Sequence, residues 1–153
     1  GTTTGRLAAL LSSERELILI TNSVPIGARV ASLPGIKLRM LGGRVRGTTQ
    51  AAVGEEALAA LAWLRTDVAF IGTNALSLGH GLSTPDSDEA AVKRAMVRSA
   101  NHVVVLADSS KIGREHLVSF ARLDDIDVLI TDDGIDANDH KSLTDQGIEV
   151  VIA

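Results

Sequence analysis

"VVVLADSSKIGR", Val103 to Arg114, carries the pattern that decides the fold. Four apolar residues and an alanine run straight into Asp108, Ser109, Ser110, Lys111 and Gly113. A short, unbroken apolar run is the signature of a strand covered on both faces. Such a strand cannot bury the carboxylate, hydroxyls and ammonium that follow, so its end is either an ordinary turn or a binding edge. Similar β-branched runs recur at "LILIT" (17–21), "IKLRML" (36–41), "VAFIG" (68–72), "DVLIT" (127–131) and "IEVVI" (148–152).

Helical patterns lie between them. Residues 3–11 place Leu7, Leu10 and Leu11 on one face, and 54–64 carry Leu58, Leu61 and Ala62. Residues 85–100 put Val92, Ala95, Met96 and Ser99 at helical spacing, with Thr84 as N-cap and Pro85 at the first helical position. A shorter helix over 136–146 ends at Gly147, a C′ glycine. "LVSF" (117–120) reads as an extra short strand, 42–53 as irregular, and "GTNALSLGHGL" (72–82) as a flexible lid. Alternation at this pitch predicts an α/β fold, a mostly parallel sheet with helices on both faces. No linker or repeat interrupts it, so a single domain over 1–153 is expected.

Composition narrows the function. Of 153 residues, 45% are apolar and only 2% aromatic, so the core is built from Ala, Val, Leu and Ile. There is no Cys, which excludes disulfides and thiolate chemistry and fits a cytoplasmic setting. The histidines His80, His102, His116 and His140 lack metal-ligand spacing, so neither a metal nor a cofactor is expected. A net charge of −4 gives no footprint for nucleic acid. No apolar run approaches a membrane span. The chain opens at Gly1 without an initiator Met, as a fragment would.

In open parallel sheets, ligands bind outside the carboxyl ends of the strands. Those ends are Thr21-Asn22-Ser23, Leu41-Gly42-Gly43, Gly72-Thr73-Asn74, Asp108 to Lys111, and Thr131 to Gly134. "GTTTG" (1–5) opens a helix, where free backbone N–H groups and Thr hydroxyls would cradle a phosphate; the plain alternative is a Thr cap. Lys111 beside Ser110 would add a point charge to that cradle, or is simply a solvated Lys in a Ser-rich turn. Asp86, Glu89 and Lys93 either line a polyol site or serve as helix-dipole and i, i+4 partners on a solvated surface. His80 has no orienting partner in the sequence, and no Ser has a nearby His. Catalytic residues are therefore not expected.

Taken in order, "GTTTGRLAALL", "ILITNSVPIGARVA", "IKLRMLGGRVRGTTQAAVGEEALAAL", "GLSTPDSDEAAVKRAM", "LADSSKIGR" and "IDVLITDDGI" resemble the C-terminal effector domain of DeoR-type bacterial transcription regulators. The resemblance implies the fold of ribose-5-phosphate isomerase A and glucosamine-6-phosphate deaminase. It implies phosphate contacts at Gly1, Thr2, Thr3, Thr4, Ser110 and Lys111, and sugar contacts at Asn22, Gly43, Asp86, Glu89 and Lys93. It further implies a phosphorylated sugar effector, homo-oligomers, and operator binding only through an N-terminal helix-turn-helix domain. That domain, and a strand preceding Gly1, are expected to be missing from this chain. One departure is Thr73-Asn74-Ala75, where relatives commonly carry an Ala-Asp-Gly-like turn. The alternative within the same fold is a sugar-phosphate isomerase or deaminase with Asp132, Asp133 or Glu89 as base. A third reading is an oligomerisation domain that has lost its ligand.

Overall fold

Two of the apolar runs pair at once with their sequence neighbour. Leu17–Thr21 (β1) lies parallel to Ile36–Met40 (β2), with Leu17 opposite Ile36 and Thr21 opposite Met40. The helix Val24–Val30 (α2) crosses between them. It opens at Ser23, whose hydroxyl accepts from the Ile26 N–H, and Pro25 sits in its first turn, where a missing N–H costs nothing. This computed structural model describes residues 1–153. Its contacts gather into two compact units, Gly1–Trp63 and Leu64–Ala153.

The first unit also holds helices Thr2–Ala9 (α1) and Glu55–Leu61 (α3) and a small antiparallel pair, Arg44–Arg46 (β3) with Ala51–Val53 (β4). The irregular segment expected over 42–53 is therefore a hairpin. Gly43 enters it at φ 134°, where a Cβ would lie 2.5 Å from the Val53 carbonyl oxygen.

The second unit is built on a four-stranded, all-parallel sheet. Thr66–Gly72 (β5) pairs with Ala100–Leu106 (β8), which pairs with Val128–Thr131 (β10), which pairs with Glu149–Ile152 (β11). Helix Ser87–Ser99 (α4) runs directly into β8, so its first turn returns to the carboxyl edge of the sheet. Helix Ala137–Asp145 (α5) packs on β11 and ends at Gly147, φ 87°, as the sequence implied. The core joins Ile71, Val103, Val105 and Leu129 of the sheet to Ala90 and Val97 of α4 and Leu143 of α5. The chain is thus α/β with a mostly parallel sheet.

Two expectations change here. The lid over 72–82 contains strands Ala75–Ser77 (β6) and Gly81–Thr84 (β7), which form an antiparallel sheet with Val118–Ala121 (β9). Thr84 ends β7, and the N-cap of α4 is Asp86, whose carboxylate accepts from the Glu89 N–H at 2.9 Å. Thr84 is held in β7 opposite Val118, so the cap falls to Asp86, a residue type that N-caps favour.

Candidate functional site

The parallel register of β5, β8 and β10 brings their polar ends to one edge of the second unit. The middle of that edge is the turn Asp108–Lys111. Asp108 accepts from the N–H of Ser110 at 3.0 Å and from its hydroxyl, and the Lys111 N–H bonds the Asp108 carbonyl at 3.0 Å. The turn is closed on itself, and the Lys111 ammonium engages in no hydrogen bond or ion pair.

Outside contacts fix the turn on two sides. Toward β10, the Asp132 carboxylate accepts from the Ser109 N–H at 2.8 Å and the Ser109 hydroxyl at 2.7 Å. Toward β6, the Gly113 N–H donates to the Leu76 carbonyl at 2.8 Å. The donors around Asp132, those of Ser109 first and then the Gly134 N–H, hold its pKa below the ordinary carboxylate value.

Helix α4 adds a cation. The Lys93 ammonium donates to the Gly72 carbonyl at the end of β5 at 3.0 Å, and it stands 5.3 Å from the centre of the Phe120 ring. Burial lowers its pKa, while the Glu89 carboxylate one turn earlier pushes the other way. Asp86, Glu89, Lys93, Ser110 and Lys111 therefore share the carboxyl edge of one sheet. Asp86 is partly committed as helix cap, and the Ser110 hydroxyl is turned to Asp108.

The remaining candidates lie in the first unit. Gly1 to Thr4 form the opening of α1, with the Thr4 hydroxyl donating to the Gly1 carbonyl at 3.1 Å. Asn22 and Gly43 follow the parallel strands β1 and β2. The Asn22 amide donates to the Ala52 carbonyl at 2.9 Å, so one of its functions is to hold the β3–β4 hairpin.

His80 has partners the sequence did not reveal. Its Nε2 lies 2.9 Å from the His116 carbonyl oxygen, and its N–H donates to the Ser77 hydroxyl at 3.0 Å. A carbonyl can only accept, so Nε2 carries the proton. Ser77 in turn donates to Glu115 at 2.8 Å. The departing turn at 73–75 is closed by the Thr73 hydroxyl, which donates to the Ala75 carbonyl at 2.8 Å. Sequence reasoning gave Asp132 only as a base for the enzyme alternative. Its bonds to Ser109 span 23 positions, and the only local sign was the Asp-Asp-Gly run after a strand.

A polar carboxyl edge with a free lysine thus lies on an α/β scaffold whose main sheet is all parallel. The family model of the DeoR C-terminal sensor domain matches residues 1–133, and the chain belongs to that family. It is 37% identical over 151 residues to the HTH-type transcriptional regulator GlpR of Haloferax volcanii, an alignment covering 99% of this chain and 59% of the relative. It is 35% identical over 133 residues to the HTH-type transcriptional regulator FruR of Bacillus subtilis, 86% of this chain and 52% of the relative. It is 25% identical over 150 residues to the glycerol-3-phosphate regulon repressor of Escherichia coli K12, 98% of this chain and 60% of the relative. The chain thus spans between half and two-thirds of the length of these relatives. No helix is long and apolar enough to cross a membrane.

Proposed function

We propose that this chain is the effector-sensing part of a transcription regulator, usually a repressor, of sugar metabolism, and that its effector is a phosphorylated sugar bound without turnover. The observation that carries this reading is the unpaired Lys111 ammonium, presented by a braced turn at the carboxyl edge of a parallel sheet. Its charge is uncommitted, as a phosphate ligand requires. Ser110 supplies a further donor to the phosphate. Asp86, Glu89 and Lys93 read the sugar hydroxyls. The name of the Escherichia coli relative, a glycerol-3-phosphate regulon repressor, supports a small phosphorylated polyol as the ligand class.

Residues 1–153 serve as the effector-binding and oligomerisation part of a cytoplasmic homo-oligomer. Operator DNA is reached through a separate N-terminal helix-turn-helix domain, in keeping with the −4 charge of this part. Binding signals only if it favours one quaternary or inter-domain state over another. Turnover is disfavoured at Asp132, one of the three candidate bases, because its carboxylate already accepts three hydrogen bonds.

The test is thermal stabilisation by a panel of sugar phosphates, each paired with its unphosphorylated sugar. One or two phosphorylated members should raise the melting temperature, and their parent sugars should not. Lys111→Ala should weaken the best of them by about 1.5–3 kcal/mol, the scale of a charged hydrogen bond. Unchanged affinity in that variant would refute the assignment.

A further inference from the structure

The turn that presents Lys111 has an outside anchor on β10. Strands β8 and β10 are parallel neighbours, with Ile130 opposite Leu106, so Asp132 emerges beside the start of the turn. One carboxylate oxygen takes the Ser109 N–H at 2.8 Å; the other takes the Ser109 hydroxyl at 2.7 Å and the Gly134 N–H at 2.9 Å. The Gly134 bond sets the orientation in which the carboxylate meets Ser109. Gly134 must itself be glycine for this to fit: a Cβ there would lie 2.6 Å from the Ser109 Oγ and 2.8 Å from the Asp132 Oδ1. Ser109 precedes Lys111 by two residues, and the intervening Asp108–Ser110 bonds make the turn a stiff unit. A rigid turn held at Ser109 carries Lys111 with it.

We propose that Asp132 is the positioning residue of the anion site: it fixes the Ser109–Lys111 turn, and through it the Lys111 ammonium, without touching the ligand. The inference rests on the reading of Lys111 as the phosphate contact. It also makes a prediction of sign. A carboxylate near an anion repels it, so simple removal of the negative charge would tighten phosphate binding. If Asp132 works by holding the turn, the same removal loosens binding, because Asn places an amide donor where a Ser109 donor must be accepted.

The experiment titrates inorganic phosphate into the full chain and four variants, following thermal stabilisation and 31P line broadening. Asp132→Asn should weaken phosphate binding about tenfold, the effect of losing well-placed charged hydrogen bonds. Ser109→Ala, which removes one of the bonds and no charge, should weaken it in the same direction and substitutes for Asp132→Asn if that variant does not fold. Asp133→Asn, the same charge change on an exposed neighbour, should leave binding unchanged or tighter. If Lys111→Ala weakens binding while Asp132→Asn leaves or tightens it, the positioning role is wrong and the phosphate reading stands. Weakening by Asp133→Asn equal to that by Asp132→Asn would overturn it as well. Unchanged binding in Lys111→Ala would remove the phosphate reading and the inference together.

Discussion

Lys93 carries the clearest electrostatic cost in the second unit. Its ammonium is drawn inward to the Gly72 carbonyl and the Phe120 ring, and burial outweighs the help of Glu89. The folded pKa therefore lies below the ordinary 10.5. Between the folded value and 10.5 the unfolded chain binds more protons than the folded one, so stability rises with pH across that window. Below the folded pKa both states are protonated and the cost is present in full. Lys93→Met removes this titration while keeping the length of the side chain. The stability difference, wild type minus variant, should thus climb with pH on the alkaline side and stay flat at lower pH. Denaturant melts of both proteins at matched pH values measure it, and a difference that falls as pH rises would contradict the assigned direction. Asp132 gives the same slope, stability rising with pH, but as a gain where Lys93 shows a relieved cost. Its depressed pKa contributes stability above the ordinary 3.8 that is lost as pH falls through the folded value.

At the scale of elements, the parallel strands were legible because burial on both faces leaves an unbroken apolar run, as in Val103–Leu106. The hairpin β6–β7 was not. Its strands are short, and Ala, Ser and Gly are poor strand formers, so tertiary packing decides the outcome. Every residue of both strands is buried, which erases the alternation that would mark them. Helix α2 was hidden by Pro25 and Gly27. The proline sits where a helix tolerates it, and a Cβ on Gly27 would lie 2.3 Å from the Met40 sulfur. The site followed the same division. Lys111 and Lys93 were visible as cations after strands and on a helix face, whereas the partner of Ser109 comes from another strand altogether. The hairpin makes a sharp prediction. Gly81 has φ 68°, and a Cβ there would meet the Ala121 carbonyl oxygen of β9 at 2.1 Å. Gly81→Ala should cost about 2 kcal/mol or more, since both the conformation and the contact forbid a side chain. The denaturation midpoint should drop with an unchanged slope.

At the scale of the whole molecule, the parallel sheet of the second unit is closed on one side of β5 and open on the other. β5 is the last strand in the order β11-β10-β8-β5, so the groups along its outer edge have no strand partner. Ala69 and Ile71 belong to the core layer, while Val68 and Phe70 alternate onto the opposite face and are 41% and 48% exposed. An apolar edge strand with unpaired N–H and C=O groups is a template for another chain. Nothing on this strand opposes pairing in the usual ways. It has no Pro and no Lys, and Asp67 is its only charge. The 153-residue chain should therefore self-associate with rising concentration through β5, and sedimentation velocity should show the weight-average mass climb. Val68→Lys and Phe70→Lys place charges on the strand without entering the core, so each should shift the association to higher concentration and leave the melting temperature nearly unchanged. If both variants associate as the parent does, the contact lies elsewhere on the surface.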